Sequence, residues 1–518
     1  MNILSFFSHS PLNFCLNEKN EAEISNDNYY NLSTVTIPSK VTIKGVKYPV
    51  TTIRSFVFSN CKNLIKISMP NSITTIEDGA FYLCSNLREI IIPHSVKTIW
   101  ESAFQGCSNL VKVSIPNSVT SIGNGTFSGC SSLKQIRIPN SVNFIGNGVF
   151  NGCSQLTEIK VASDNNYYCD INGILFSKDK TILYHFPARK PHRVYSIPDS
   201  VRVIDYGSFS ECKNLQKVTI PKSVTSIGNL AFYGCSNLTE IIIPQSVTSI
   251  GDMAFSGCSN LSKIIIPNTV TTIGDQVFAE CSNLSSIFIP NSVINIGTDV
   301  FDGKELQRIE VAPGNPYFCD IDGVLYNKDK TILYRYPAGK KYMAYLIPNS
   351  ITKIKENAFS NCSNLRAIII SNSITDIGDW AFAQCNSLRE VHIPNSVTSI
   401  GNFAFWKCSS LKKVNIPNSV ITIGKGAFEW CSSLKEVTIP KSVTSIGEEA
   451  FYYCNNLANV YNYSERIALT ERIFAFDTIY GTAVLWVPRC SIYFYPPRGP
   501  WRFSKIRNIE DVPNTIIP

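Results

Sequence analysis

The sequence is short of charge and of long apolar runs, and each shortage excludes a class of protein. Charged residues make up only 17% and hydrophobic residues 44% of 518, which excludes a disordered, solvated chain. Lys and Arg number 47 against 39 Asp and Glu, and no run of five like charges occurs, so nucleic acid is not expected as a partner. No apolar run reaches the roughly 18 residues of a membrane-spanning helix.

Histidine is also scarce, which limits the chemistry the chain could perform. The five histidines are His9, His94, His185, His192 and His392, and none forms an H-E-x-x-H pair. No G-x-S-x-G or Walker motif occurs either. We therefore expect no dedicated metal site, no cofactor and no catalytic residues.

Fourteen of the eighteen cysteines follow one long period, and none of the eighteen shows paired short spacings. No C-x-x-C occurs, which argues against a disulfide scaffold or a zinc protein. Fourteen cysteines lie 23 residues apart within three groups, each three residues after a phenylalanine: Cys61, Cys84, Cys107, Cys130, Cys153; Cys212, Cys235, Cys258, Cys281; Cys362, Cys385, Cys408, Cys431 and Cys454. A fifteenth copy has Phe301, with Lys304 at the cysteine position. A fixed period of this length indicates a repeat solenoid.

One repeat reads as a coil of two short strands. After Cys84, the pattern Leu87, Ile90 and Ile92 predicts a first strand with its apolar side chains inward. Pro93 ends that strand because it has no N–H to donate. The segment 96–99 then predicts a second strand.

The coil is predicted to close through a short helical turn that contains Ala103 and Phe104. A glycine follows the second strand in most copies and predicts positive φ or close backbone approach; it recurs at Gly123, Gly228, Gly251, Gly274 and Gly401. Fifteen coils at about 4.8 Å each would form a stack of roughly 70 Å. The cysteine column is interpreted as a buried apolar position; stacked disulfides are disfavoured because parallel side chains lack the required torsion of about 90°.

Two sibling inserts separate three blocks of five copies. The inserts are YYCDINGILFSKDKTILYHFPARK from Tyr167 and YFCDIDGVLYNKDKTILYRYPAGK from Tyr317. Each predicts strand, polar turn and strand, continuing the stack. The alternative is a calcium loop at Asp320-x-Asp322-Gly323, although the later ligands of that motif are missing.

These features predict an N-terminal cap, a solenoid and a C-terminal cap. The predicted bounds are 1–49 for the first cap, 50–461 for the solenoid and 462–518 for the second cap. The run 33–50 predicts a hairpin around Lys44-Gly45 that covers the first coil. Within the solenoid, blocks 50–160, 197–311 and 347–461 alternate with inserts 161–196 and 312–346. Caps are expected because an open last coil exposes unpaired strand edges. The C-terminal aromatic residues include Tyr493, Tyr495 and Trp501, and a ligand site around Trp501 is the alternative to their use as a cap.

The repeat C-S-N-L-x-x-I-x-I-P-N-S-V-T-S-I-G-x-x-A-F resembles the BspA-like leucine-rich repeat family, also called the Treponema pallidum type. The resemblance covers most of the chain, for example 235–255 and 385–405. It implies a leucine-rich repeat right-handed superhelix, β-rich with short helical turns, and a Bacteroidetes-type cell-surface or secreted adhesin. The first twenty residues show no signal peptide, so a cytoplasmic location stays open.

The outward positions of the first strands form the candidate binding face. They vary between copies while the inward positions hardly change, which favours recognition of a protein ligand, from host matrix or another microbe. The alternatives are a merely soluble surface and an intracellular or effector-type interaction scaffold. The candidate residues are Arg88, Glu89, Ile91, Arg137, Lys217, Ile242, Ile265, Arg389, His392 and Lys412.

Overall fold

The computed structural model describes residues 12–464, 468–469, 483–489 and 505–511. It divides into two compact units, residues 1–278 and 279–518. Each unit is a β-solenoid with the predicted repeat period. The prediction of one continuous stack, with the cap and block boundaries given above, stays a prediction.

The first unit begins with short strands that lead into the solenoid. Its strands up to the end of the first block are β1 (Phe14–Leu16), β2 (Ala22–Ile24), β3 (Thr34–Thr36), β4 (Lys40–Ile43), β5 (Val46–Ile53), β6 (Lys66–Ser68), β7 (Thr75–Ile76), β8 (Glu89–Ile91), β9 (Thr98–Ile99), β10 (Lys112–Ser114), β11 (Ser121–Ile122), β12 (Gln135–Ile138), β13 (Phe144–Ile145) and β14 (Glu158–Val161).

The first unit continues through the first insert into the second block. The strands there are β15 (Tyr168–Ile171), β16 (Ile174–Ser177), β17 (Ile182–His185), β18 (Val194–Ser196), β19 (Val203–Ile204), β20 (Lys217–Thr219), β21 (Ser226–Ile227), β22 (Glu240–Ile242), β23 (Ser249–Ile250), β24 (Lys263–Ile265) and β25 (Thr272–Ile273).

The second unit repeats this order around the second insert. Its strands are β26 (Ser286–Ile289), β27 (Asn295–Ile296), β28 (Arg308–Val311), β29 (Phe318–Ile321), β30 (Val324–Asn327), β31 (Ile332–Arg335), β32 (Ala344–Leu346), β33 (Lys353–Ile354), β34 (Ala367–Ile369), β35 (Asp376–Ile377), β36 (Glu390–His392), β37 (Ser399–Ile400), β38 (Lys413–Asn415), β39 (Thr422–Ile423), β40 (Glu436–Ile439), β41 (Ser445–Ile446), β42 (Asn459–Asn462), β43 (Ala468–Leu469), β44 (Val484–Val487) and β45 (Lys505–Asn508), before a 3-10 helix at Ile509–Asp511.

Each coil contributes one strand to each of two parallel sheets, as the sequence predicts. In the second block the first strands pair in the order β18, β20, β22, β24, and the second strands pair from β19 to β25. Each residue pairs with its equivalent in the next repeat, so that Ile241 lies opposite Ile264. The repeat therefore stacks each side chain on its counterpart in the next coil.

The core is made of these identical stacks. Phenylalanine rings pack face to face along the axis, as Phe81 and Phe104 do with centroids 5.2 Å apart and planes 2° apart. A serine or threonine in the turn after the first strand bridges the coils, because Ser141 Oγ donates to the Val119 carbonyl at 2.6 Å. The Val119 carbonyl, which lies between β10 and β11, thus finds a hydrogen-bond donor in the next coil.

The prediction for the closing segment of the coil is wrong. The segment consists of hydrogen-bonded turns rather than a helical turn, and Phe104 N donates to Thr126 O of the next coil at 2.9 Å. Because alternate amides bond to the neighbouring coil, the continuous hydrogen-bond ladder of an α-helix does not form within the segment.

Of the two reasons predicted for the glycines after the second strand, close backbone approach is confirmed. A Cβ on Gly228 would lie 3.0 Å from backbone atoms of Asp205 and Tyr206. Positive φ, the other reason, does not occur at this position. The left-handed residue comes two positions later, and it need not be glycine: Leu230 has φ 58° and Phe403 has φ 53°.

The inserts have three antiparallel strands each, one more than the sequence predicted. β15 and β16 pair across Asn172-Gly173, and β16 pairs with β17. β17 then pairs in parallel with β19 of the second block, so this insert continues the second-strand sheet of its unit. The second insert does the same through β31 and β33.

The predicted N-terminal hairpin is confirmed around Lys44-Gly45, where β4 and β5 pair antiparallel. The segment Thr34–Thr36 is not part of it, because β3 pairs with β6 in the first-strand sheet. At the other end, β44 and β45 extend the first-strand sheet of the second unit. Trp501, Tyr493 and Tyr495 lie outside the described residues.

Candidate functional site: the outward face of the first strands

The first-strand face is defined by the outward side chains of the first strands, and strand alternation creates it. In β22, Glu240 and Ile242 are exposed and Ile241 between them is buried. The inward side chain is held by the core, so the outward ones are presented on a rigid sheet whose strands are about 4.8 Å apart. All ten candidate residues are exposed, and each lies on a first strand or on the residue just before one.

The structure brings only some of the candidates together. Ile242 and Ile265 are register neighbours on β22 and β24, with 59% and 53% of their surface exposed. Lys217 lies opposite Glu240 on the adjoining strand. This group forms the apolar pair of the first unit with charged residues beside it.

The remaining candidates occupy other parts of the face. Arg88, Glu89 and Ile91 lie on or beside β8, which pairs with β10. Arg137 lies on β12, in a separate two-stranded sheet with β14. The candidates of the second unit, Arg389, His392 and Lys412, lie on or beside β36 and β38.

A second apolar pair was missed in the sequence. Leu346 lies opposite Ile369 on β32 and β34, and the two are 62% and 51% exposed. Met343, also 58% exposed, lies just before β32. The sequence did contain a signal for this pair, because Leu346 precedes Ile369 by one full repeat of 23 residues. It was missed because the coil that contains Leu346 has no cysteine to mark it.

Part of the face is occupied by surface ion pairs. Lys112 Nζ lies 2.9 Å from Glu89 Oε1, and Lys413 Nζ lies 3.6 Å from Glu436 Oε1. All four side chains are more than a third exposed, so each pair contributes only about 0–1 kcal/mol to stability. Glu89 is therefore already paired with Lys112 before any ligand binds.

The cysteine column contributes no reactive group to this face. All fourteen are buried, which confirms their interpretation as small core residues. The thiol of Cys107 donates to the Phe81 carbonyl of the preceding coil at 3.2 Å, and burial raises its pKa to about 12. A protonated, enclosed thiol is a poor nucleophile and a poor metal ligand.

The two carboxylates of the possible calcium loop, Asp320 and Asp322, already bind other groups of the protein. Asp320 accepts hydrogen bonds from the Val311 amide at 2.9 Å and the Gly323 amide at 3.2 Å. Asp322 pairs with Lys340 at 3.1 Å. Within the part of the chain that the structure describes, no group of three or more acidic, cysteine or histidine side chains could hold a metal ion.

Two buried polar residues occupy equivalent positions in the inserts. His185 in the first insert is enclosed, and burial lowers its pKa to about 3. Arg335 in the second insert is also buried and contacts Asp302 at 3.1 Å. Neither lies on the first-strand face.

The comparisons with known proteins agree with the repeat pattern. The family model described as "BspA type Leucine rich repeat region (6 copies)" matches residues 51–182, 188–308 and 339–471. No curated protein matches. In the described ranges, no helix has the length and apolar character needed to cross a bilayer.

Solved structures with similarity include two bacterial proteins. A leucine-rich cell surface protein from Faecalibacterium prausnitzii A2-165 is 26% identical, with a TM-score of 0.45, over 89% of this chain and 95% of that one. A leucine-rich repeat protein from Bacteroides ovatus is 28% identical, with a TM-score of 0.38, over 88% of this chain and 94% of that one.

Proposed function

The chain belongs to the BspA type leucine-rich repeat family, and we propose that it is a non-enzymatic protein-binding protein. In this proposal it is a bacterial surface adhesin that recognises host or microbial proteins. Its binding surface is the first-strand face. The observation that carries the proposal is the exposed apolar pair Ile242 and Ile265 on a rigid sheet.

The energetics of that pair support recognition. Burying large aliphatic side chains that lie side by side in water is favourable by roughly 25 cal/mol per Å². Glu240 and Lys263 lie opposite each other beside the pair. An apolar centre with a charged border is the usual composition of a protein interface.

The second unit carries the same arrangement independently. Leu346 and Ile369 form its apolar pair, and Glu390 and Lys413 lie opposite each other on the strands that follow. Each unit therefore offers its own apolar pair to a ligand, and each pair spans two adjacent strands. Each is small, so a stable interface of about 800 Å² per partner needs neighbouring polar contacts as well.

The test replaces the apolar pair of the first unit. Ile242→Ser/Ile265→Ser should weaken capture of a purified host matrix protein by at least about 10-fold in surface plasmon resonance, because two buried aliphatic contacts are lost. The matched control is Ile294→Ser/Ile421→Ser, since these isoleucines are 49% and 47% exposed and lie off this face. Equal capture by the two variants, both folded, would remove the pair from the binding site.

The surface location is tested separately. Protease added to intact native cells should cleave the protein if it is displayed outside. Full protection, together with recovery in the cytosolic fraction, would contradict the adhesin proposal. That result would favour the intracellular or effector-type scaffold, with the same face and a different partner.

A further inference from the structure

A polar concavity, here called the basic groove, lies where the first insert joins the second block. Its volume is about 450 Å³, within the usual range for ligand sites of roughly 300–1,000 Å³. It precedes β18 and β20 and borders the start of the first-strand sheet. The lining residues are Arg189, Pro191, Arg193, Asn214, Gln216 and Asn237.

The two arginines of the basic groove are unpaired. Both are exposed, and neither guanidinium makes an ion pair or hydrogen bond with any of the residues that the structure describes. No acidic side chain lines the concavity. Two guanidinium groups that share one depression without a counter-ion are positioned to attract an anion.

The backbone does not need arginine at either position, as the sibling insert demonstrates. Arg189 N donates to Leu156 O at 2.8 Å, and Gly339, the equivalent residue of the second insert, donates to Leu306 O at 2.8 Å. The Arg193 carbonyl accepts from the amide of Gln216 at 2.7 Å.

Met343 replaces Arg193 in that insert and keeps the same role. Its carbonyl accepts from the amide of Arg366 at 2.6 Å. The coil therefore closes identically with a thioether side chain. The guanidinium groups of the basic groove add charge and hydrogen-bond donors without a structural requirement for them.

The carboxamides complete the chemistry of the basic groove. The side chain of Gln216 makes no hydrogen bond to a described residue, while Asn214 Nδ2 donates to the Lys190 carbonyl at 3.0 Å and keeps its second N–H. Carboxamides both donate and accept, which suits hydroxyl groups. Apart from Pro191, no apolar side chain lines the concavity, so the apolar side chains of a peptide would find no pocket.

We propose that the basic groove binds an anionic saccharide. Arg189 and Arg193 hold its carboxylate or sulfate, because the planar guanidinium fork matches an oxyanion with two hydrogen bonds. Gln216 and Asn214 hydrogen-bond its ring hydroxyls. This goes beyond protein recognition by the first-strand face: the basic groove shares only its edge with that face, at Arg193 just before β18, and its ligand is a saccharide rather than a protein.

The test measures binding of the full chain to defined probes by calorimetry near physiological ionic strength. The probes are a heparin oligosaccharide, which carries sulfates, and an oligogalacturonate, which carries only carboxylates; poly-L-glutamate is the peptide comparison. Arg189→Ala/Arg193→Met should weaken saccharide binding by at least about 10-fold, as expected when charge-assisted hydrogen bonds are lost. The preferred saccharide shows whether sulfate or carboxylate is the natural group.

The matched control removes two charges elsewhere on the same block. Arg202 and Lys222 are exposed and lie beyond the other end of the first strands; Arg202→Ala/Lys222→Met should change binding by less than about 2-fold, as expected for distant screened charges. Arg193→Met alone introduces the residue found at 343, so it keeps the test valid if the double variant unfolds. Absence of saccharide binding, equal weakening in both double variants, or equally tight binding of poly-L-glutamate would overturn the proposal.

Discussion

The phenyl ring of Phe403 lies over Gly426 of the next coil. A Cβ on Gly426 would overlap the ring carbons Cδ1 and Cε1. The ring cannot easily move away, because its other neighbour is Trp380, whose centroid is 4.3 Å from it. Gly426 also has φ 56°, so glycine is favoured here for both conformation and space.

We predict that Gly426→Ala destabilises the second unit by about 2–4 kcal/mol, from left-handed strain and from the ring overlap. Denaturant unfolding followed by tryptophan fluorescence measures this. Gly125→Ala is the reference for strain alone, since φ is 57° there and no atom lies within 3.6 Å of the new Cβ; about 1 kcal/mol is expected. If Phe403→Ala does not relieve the cost of Gly426→Ala, the overlap is not its cause.

The stability of the first unit should depend on pH through His185. Its folded pKa of about 3 lies below its unfolded value of 6.5, so the unfolded state binds the proton first. The contribution of neutral His185 to the free energy of unfolding is therefore fully present above pH 6.5 and is lost as the pH falls toward 3. The expected loss between pH 7 and pH 5 is about 2 kcal/mol. Unfolding free energies at both pH values test this; His185→Gln should remove most of the difference, and an unchanged slope would contradict the assignment.

Column cysteines should resist alkylation in the folded protein. Burial raises the pKa of Cys107 and of Cys235 to about 12, so at pH 8 both thiols are protonated as well as enclosed. Mass spectrometry after iodoacetamide treatment should find them unmodified in the native protein and fully modified in guanidinium. Native labelling of Cys107 at the rate of a free thiol would contradict a closed core.

The buried ion pair of the second unit should contribute more to the free energy of unfolding than an exposed ion pair of similar length. Arg335 and Asp302 are 3.1 Å apart with side chains 7% and 34% exposed, and Asn361 Nδ2 donates to the same carboxylate oxygen at 2.9 Å. Asp302→Ala should cost about 2–3 kcal/mol, because the buried guanidinium loses its counter-charge, while its hydrogen bonds to the Asn357 and Ser360 carbonyls remain.

The comparison is the pair of Lys425 and Glu448, 2.8 Å apart and 47% and 42% exposed. Glu448→Ala should change the unfolding free energy by less than about 1 kcal/mol. Thermal or denaturant unfolding of both variants gives the two values. Equal losses would mean that burial does not set the strength of the Arg335 contact.

The local sequence pattern was sufficient to predict the two strands of each coil, but not the closing turn or the left-handed residue in that turn. The alternation around Ile90 predicted which side chains are inward, because period two is a property of any strand. The closing turn was wrong because its amides bond to the next coil, which no local pattern shows. The left-handed residue was also misplaced: Phe403 adopts φ 53°, and an aromatic residue carries no signal for that conformation.

The candidate site divides in the same way. Exposure of Ile242 and Ile265 followed from alternation, and their adjacency followed from the repeat step. The basic groove could not be predicted from the sequence. Arg189 belongs to an insert and Asn237 to a later coil, and both line the groove only because that insert enters the stack there.

The sequence alone determined the period, the two strands of each coil, the buried cysteine column and the outward face, since each depends on chemistry repeated in every coil. Only the tertiary structure decided which residues without a repeat meet: Arg335 against Asp302, and Arg189 beside Arg193 in one groove. The reason is that repetition specifies contacts between equivalent positions, whereas contacts between unlike positions depend on how each insert and turn is placed in space.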